Sequence, residues 1–355
     1  MSELGAHLLA RDGGAEVPAW ARAIGVTRVA RVTGLDRCGV EVACAIRPAG
    51  QLLQVSNGKG RTFAQAKASA LSEALELFAL ENPDPARLGW RVEEPGPAYW
   101  PGELLTGEGP RRSRAVAQPW ADAERLDTRG RVQIPASLVW CPGEGGAPVG
   151  LRTAAFTANG VGANVRRGPA RWHALLELCE REALTRTFAR GWTPRHLRER
   201  GLSFAHPLVP ALEAQGMRVH LVDATPDGWP VPVVAAAIVD PGTGAPPLAA
   251  GYACRLSGTA AAEAALFEAC QSRLTEIHGA REDVEQAPLE VPAWLRRGRT
   301  SPRAAEGLPR FSGSIAMLLK ALGVAAAAVD VTPPGCPLSV QRVFVPGFRI
   351  SGLLV

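Results

Sequence analysis

The chain has 355 residues, 46% hydrophobic and 21% charged, with a formal charge of +5. This composition belongs to globular proteins and excludes a disordered or collagen-like chain; no apolar run reaches the length of a membrane span. Seven cysteines, an odd number with no C-x-x-C spacing, argue against a disulfide framework or a Cys-type zinc site and for a reducing, cytoplasmic setting.

Residues 1–20 read as a loose N-terminal arm, without the basic-then-apolar pattern of a signal peptide, and residues 21–355 as a single domain. Val29-Ala30-Arg31-Val32 reads as a strand, Asp36-Arg37-Cys38-Gly39 as a turn, and residues 40–46 as the alternating return strand. Ser56-Asn57-Gly58-Lys59-Gly60 reads as a loop before a helix. Its glycines would let amides meet a phosphate, but the spacing is not that of a Walker loop. The helix runs from Thr62 and ends before Pro83. At about 100° per residue, Ser69, Glu73 and Glu76 form one polar stripe, while Leu71, Leu75 and Phe78 suit a core.

Residues 83–150 are rich in Pro and Gly, with short strands expected at Val132-Gln133-Ile134-Pro135 and Leu138-Val139-Trp140. Thr157-Ala158-Asn159-Gly160-Val161-Gly162-Ala163-Asn164 is a second glycine-rich approach to a helix, here residues 169–190, which carries His173, Glu177, Glu180 and Arg181. An internal repeat comes next. Leu212-Glu213-Ala214-Gln215-Gly216 leads into Val222-Asp223-Ala224-Thr225-Pro226, and Leu319-Lys320-Ala321-Leu322-Gly323 into Val329-Asp330-Val331-Thr332-Pro333. Each reads as helix, glycine cap, strand, turn and return strand, with the Asp36 hairpin a fainter third copy. Asp223 and Asp330 read as turn-formers. Residues 282–310, charged and Pro-rich, read as a mobile loop. Local basic clusters (Arg111, Arg112 and Arg114; residues 186–200 and 296–303) lack interleaved aromatics and read as solvated loops rather than a nucleic-acid surface.

Three apolar helices thus carry an oxygen-bearing pair at i, i+3: Glu73/Glu76, Glu177/Glu180 and Glu268/Gln271. The fold expected is α+β, built from repeated β-hairpin plus helix units whose three Glu-bearing helices converge on one site. Carboxylates gathered at that density repel one another and need cations. Di-iron bundles place His three residues after Glu; His173 lies outside the pairs. All-oxygen donors suit Mg²⁺, which bridges carboxylates to substrate phosphates. Glu73, Glu76, Glu177, Glu180 and Glu268 are therefore the candidate metal ligands and a nucleotide the natural partner. Arg181, Arg273 and Arg281 are candidate phosphate clamps, since guanidinium forks match phosphate oxygens.

In this order the motifs resemble the YcaO family. The resemblance rests on Ser56-Asn57-Gly58-Lys59-Gly60 followed by Ala68-Ser69-Ala70-Leu71-x-Glu73-x-x-Glu76, on Asn159-Gly160 ahead of Leu175-Leu176-Glu177-x-x-Glu180-Arg181, and on Glu268-x-x-Gln271-x-Arg273 with Gly279-Ala280-Arg281-Glu282-Asp283. Gly34-Leu35-Asp36-Arg37-Cys38-Gly39 and Val345-Pro346-Gly347 also match, so that it spans residues 25–348. It implies a YcaO-type fold and an ATP- and Mg²⁺-dependent enzyme that phosphorylates a peptide amide oxygen, after which a nucleophile yields an azoline, amidine or thioamide. It implies Mg²⁺ at Glu73, Glu76, Glu177 and Glu180, and the nucleotide at Ser69, Asn164, Arg181, Gln271 and Arg273. The chain departs from the pattern in having no acidic residue between Asn164 and the second helix, and Cys254-Arg255-Leu256-Ser257 where a His is usual. The proline-rich tail of azoline-forming members is missing, and no leader-binding module is recognisable. The expectation is thioamide formation beside a TfuA-type partner, in the cytoplasm, without nucleic acid or membrane, with a homodimer possible. Azoline formation with a leader-binding E1-like partner is the alternative product class, and a non-catalytic nucleotide-binding scaffold the alternative of another kind.

Overall fold

A glycine at every second position strips one face of a strand of side chains, so that a helix can lie directly on the backbone. The computed structural model describes residues 16–91, 118–141, 156–188, 191–242, 246–281, 291–298 and 303–349. Three antiparallel sheets organise it. The first holds β1 (Arg28–Arg31), β2 (Glu41–Ile46) and β3 (Val55–Gly60). β4 (Leu88–Arg91), β5 (Gln118–Arg125), β6 (Arg131–Pro135) and β7 (Val161–Asn164) belong to a second. A third runs β11-β10-β9-β8, from β8 (Gly201–Leu202), β9 (Arg218–Asp223), β10 (Val233–Val239) and β11 (Leu248–Cys254). The second is completed by β12 (Ala327–Asp330) and β13 (Ser339–Phe344), in the order β4-β5-β12-β13-β7 with β6 paired to β5.

Three long helices come directly after three of these strands: α1 (Phe63–Glu81) after β3, α2 (Arg167–Thr187) after β7, and α3 (Gly258–His278) after β11. The junctions are glycine contacts. A Cβ on Gly58 would lie 2.1 Å from Ala66 O, one on Gly162 2.5 Å from Ala170 O, and one on Gly251 2.2 Å from Ala269 N. The facing helix residues are alanines, which completes the close approach. The glycine-rich segments expected as loops are therefore strands: Ser56 to Gly60 lies in β3 and Val161 to Asn164 is β7. Apolar side chains on the remaining helix faces fill the cores: Leu71, Leu75 and Leu80 of α1 with Ile134 and Trp140, Leu175 and Leu184 of α2 with Val222 and Val233, and Leu266 of α3 with Leu212, Met217 and Ile238.

At the two places read as a repeat, a short helix (Leu208–Glu213; Ile315–Leu322), a left-handed glycine (Gly216, φ 82°; Gly323, φ 68°) and an antiparallel strand pair occur in that order. Asp223 accepts from Thr225 N at 2.9 Å and Asp330 from Thr332 N at 3.0 Å, which is the turn-forming role expected of them. A threonine then ties each turn to its return strand: Val233 N donates to Thr225 Oγ1 at 3.0 Å and Val340 N to Thr332 Oγ1 at 2.9 Å. In the first sheet Val42 N donates to Thr33 Oγ1 at 3.1 Å in the same manner. The two hairpins continue differently: β9–β10 passes through β11 before α3, and β13 leads to a turn.

Two other expectations are corrected. Leu138 and Val139 lie in a short helix (Ala136–Val139), begun by Pro135, which pre-sets its own φ for the turn. Within the segment expected as a mobile loop, Ala293–Arg297 is helical with Leu295 buried, and Arg303 onward is held by Ser203. Residues 282–290 of that loop, residues 1–15 of the expected arm, the first basic cluster (Arg111, Arg112 and Arg114) and the apolar ending 350–355 lie outside the described residues. Among the described residues no helix is long and apolar enough to cross a membrane.

The glycine junctions make a direct prediction. Gly251→Ala forces β11 off α3 and lowers stability by about 1–3 kcal/mol, as overpacking does, measured by chemical denaturation; Gly216→Ala, with open space around it, disturbs only the turn.

Candidate active site

Each glutamate of the i, i+3 pairs on α1 and α2 gives one oxygen to a backbone amide. Glu73 Oε2 accepts from Asn57 N of β3 at 2.9 Å, and Glu76 Oε1 from Ala163 N of β7 at 2.6 Å. Glu177 Oε2 accepts from Gly160 N at 3.0 Å, and Glu180 Oε2 from Cys254 N of β11 at 3.3 Å. On α3, Glu268 Oε2 takes Lys59 Nζ of β3 at 2.9 Å. The contacts run in a circle: α1 reaches the strand ahead of α2, α2 reaches the strand ahead of α3, and α3 returns to the strand ahead of α1.

The carboxylates also feel one another. Burial pushes Glu76 well above the ordinary carboxylate range, with Glu177 and Glu73 adding to the push against the Ala163 N–H. Glu177 is raised by burial and by Glu268, against Arg181. Glu180 is pushed up to about 7, chiefly by burial, with Glu268 and Glu177 opposing its ionisation and Arg181 favouring it. Glu268, by contrast, is held below its usual range: burial would raise it, and the Lys59 ammonium together with Arg181 and Arg255 outweighs that. Arg181 lies 3.7 Å from Glu180, bonds Asn159 Oδ1 at 3.1 Å, and stays protonated despite burial because Glu180, Glu177 and Glu268 surround it.

Beside them opens a cavity of about 500 Å³, within the range of small-ligand sites. Its walls include Ser69, Ser72 and Glu76 of α1, Lys59 of β3, Asn164 of β7, His173 of α2, and Arg255 with Glu263 and Phe267. Asn164 Oδ1 is buried there without a hydrogen-bond partner, a cost that a bound donor or cation would relieve. His173 lines the cavity as an exposed side chain, and the protein around it with the Arg255 and Lys59 cations holds it below the usual imidazole range.

The other residues expected from the sequence divide. Arg281 Nη1 lies 3.7 Å from Glu73, and Gln271 Nε2 reaches Asn57 O at 3.5 Å, so both adjoin the first glutamate pair. Arg273 does not join them. Its guanidinium, 1% exposed, is engaged by Asp36 (2.9 Å), Asp240 (2.8 Å) and Pro246 O (2.7 Å), and these fill its fork as a brace between the first hairpin and α3. Lys59, Arg255 and Arg342 are site residues that the sequence reading misses. Lys59 has a signal: in a strand, Asn57 and Lys59 share the face opposite Gly58 and Gly60. Arg342, buried between Phe156 and Phe344 and in electrostatic reach of Glu177, has none.

The family model described as YcaO cyclodehydratase, ATP- and Mg²⁺-binding, matches residues 57–349. The chain belongs to the YcaO family. Members are ATP-dependent peptide-modifying enzymes whose cofactors are ATP and Mg²⁺. Among relatives of this YcaO chain, an uncharacterized protein of Methanothermobacter thermautotrophicus is 33% identical over 284 residues, covering 77% of this chain and 72% of its own. A protein encoded in the tfuA 3′ region of Rhizobium leguminosarum bv. trifolii is 29% identical, covering 93% and 85%. In fold, the chain is similar to YcaO from Methanopyrus kandleri bound with AMPPCP and Mg²⁺ (TM-score 0.65, 22% identity, 94% of this chain and 87% of that one). It is also similar to a heterocyclase in complex with substrate and cofactor (TM-score 0.71, 20% identity); the match covers 92% of this chain but only half of the other's length.

The residues fit the family's cofactors. Among the described residues no three His, Cys, Asp or Glu side chains form a ready metal cage. Mg²⁺ does not require one: it keeps waters and takes one or two carboxylates plus phosphate oxygens. Glutamates oriented by one backbone amide each are that kind of donor.

The raised Glu180 carboxyl gives a pH test. Its folded value of about 7 lies above the unfolded 4.5, so the folded state holds a proton there that the unfolded state has lost. The stabilisation is complete below the unfolded value and is lost as pH rises to about 7. Glu180→Gln, which needs no proton, is therefore expected to melt higher than the unliganded wild type by a margin that grows over that window and is level above it. Thermal melts of the two proteins across pH 4.5–8 measure the difference, in which the opposite contribution of His173 cancels.

Proposed function

We propose that the three glutamate-bearing helices, each the end of a strand–helix unit, form one Mg²⁺–nucleotide site, and that the chain uses it to activate a peptide backbone amide. The observation that carries this reading is the circle of contacts, in which glutamates of α1, α2 and α3 each grip the neighbouring unit beside one cavity. On this reading Glu73, Glu76, Glu177, Glu180 and Glu268 are the carboxylates from which the metal draws its protein ligands, the remainder fixing its position electrostatically. Ser69, Asn164, Gln271, Arg181 and Arg281 orient the nucleotide, while Arg273 acts from a distance by bracing α3. ATP would supply the phosphoryl group that turns the amide oxygen into a leaving group. The protein's own part is placement, which accounts for much of catalysis in phosphoryl transfer.

The product class we favour is the thioamide, made with a TfuA-type partner. Its support is the relative encoded in the tfuA 3′ region, similar to this chain over 93% of its length. Azoline formation is the second reading, supported by the fold shared with a heterocyclase and with the Escherichia coli microcin synthetase complex McbBCD (TM-score 0.60, 13% identity). Mass balance separates them: replacing oxygen by sulfur marks a thioamide, loss of water an azoline.

Two outcomes are expected. Peptide-dependent phosphate release from ATP is slow for the isolated chain and rises when a TfuA-type protein is added; full turnover by the chain alone would count against the partner. The double variant Glu73→Gln with Glu177→Gln remains folded but loses nucleotide affinity by at least about tenfold, as expected when charge-assisted contacts are removed. Unchanged affinity by calorimetry would rule out the shared site.

A further inference from the structure

The segment between β11 and α3 is fixed residue by residue. Arg255 N donates to Pro232 O at 3.2 Å, and Phe311 N donates to Leu256 O at 2.9 Å. Ser257 bridges Arg310 and caps α3 by accepting from Ala260 N. Gly258 packs so closely on Ala305 that a Cβ would come within 2.1 Å of its carbonyl oxygen. This rigid step puts the Arg255 side chain on the cavity wall, where its Nη1 donates to Cys254 O at 2.7 Å, beside the amide that holds Glu180.

The neighbouring cations are already committed. Lys59 pairs with Glu268 at 2.9 Å, Arg61 with Glu263 at 2.5 Å, and Arg181 lies 3.7 Å from Glu180. Among the described residues no carboxylate lies within ion-pair distance of Arg255. An anion entering the cavity can therefore use this guanidinium without breaking an existing pair. Arg255 is also in electrostatic reach of Glu180 and Glu268, and it lies next to the N-terminus of the long helix α3, whose dipole adds positive potential. The unpartnered Asn164 Oδ1 on the same cavity is a second sign that a ligand belongs there.

We propose that Arg255 receives the terminal phosphoryl group of the nucleotide and makes this chain distinguish a triphosphate from a diphosphate. The inference rests on the reading of this cavity as a nucleotide site. A guanidinium takes two phosphate oxygens at once, and a fixed cation at the oxygens of the transferred group stabilises charge without reorganising. The fork fits the γ-phosphate because Glu180 and Glu268, two of the carboxylates that in this reading hold the metal at the phosphate tail, are within its electrostatic reach.

Calorimetry on the full chain tests this, with Mg²⁺·AMPPCP and Mg²⁺·ADP titrated into wild type, Arg255→Gln and Arg255→Lys, each checked for folding by its melting curve. Wild type is expected to prefer the triphosphate analogue by about tenfold or more, the worth of a charge-assisted contact. Arg255→Gln loses that preference while its ADP affinity stays within about twofold of wild type, and Arg255→Lys, which keeps the charge but not the fork, falls between. Equal weakening of both nucleotides, or of neither, overturns the assignment. Should Arg255→Gln fail to fold, Arg255→Lys decides: an undiminished triphosphate preference overturns it, a reduced one at constant ADP affinity upholds it. A wild-type chain that binds neither nucleotide refutes the nucleotide reading itself, and the assignment with it.

Discussion

A carboxylate withdrawn from water must be given hydrogen-bond donors or a cation, and the centre of this protein is built on that requirement. Glu73, Glu76, Glu177 and Glu180 each take one backbone N–H, and each N–H lies in or just ahead of one of the three strands on which a long helix rests. One amide does not offset the burial of a carboxylate. Burial still raises Glu76, Glu177 and Glu180, whereas Glu268, with Lys59 beside it, is held low. Strand amides thus fix the geometry of the centre without offsetting the burial of these three carboxylates. A divalent cation carrying phosphate oxygens would offset it, and removing one carboxylate would ease the unliganded protein while weakening its ligand.

The glycines make this arrangement possible. Gly58 and Gly162 bring α1 and α2 close enough to their strands that Glu73 and Glu177 can reach main-chain amides there, and Gly251 seats α3 on β11 in the same way. Helix periodicity alone picks out the glutamate pairs, because an i, i+3 spacing on an Ala- and Leu-rich helix is a local property. The strands under the helices are not legible in the same way. Ser-Asn-Gly-Lys-Gly has the composition of a loop, and only the tertiary contact with α1 turns its glycines into a packing face. The same misreading hides Lys59, which becomes a site residue once Asn57 and Lys59 are seen to face away from α1.

Arg273 shows the converse limit. Its place five residues after Glu268 makes it a candidate clamp, but a helix position does not reveal what waits beyond the helix. Asp36 and Asp240 come from a distant hairpin and a strand end, and their two carboxylates with Pro246 O occupy the guanidinium. Asp223 and Asp330 are readable because their partners, Thr225 and Thr332, are two residues away. Arg255 is visible in the sequence only as a departure from the family pattern. Its importance comes from four consecutive residues, 255–258, being anchored by Pro232, Phe311, Arg310 and Ala305, none of them near in sequence.

The central claim is that glutamates of all three helices serve one metal-bound nucleotide. The most direct measurement is electron paramagnetic resonance of Mn²⁺ titrated into the protein with AMPPCP, for wild type and for Glu76→Gln, Glu177→Gln and Glu268→Gln separately. A shared site predicts that bound Mn²⁺ requires the nucleotide and that a substitution on any one of the three helices weakens it. Metal binding that ignores the nucleotide, or that is indifferent to one of the helices, would contradict the claim.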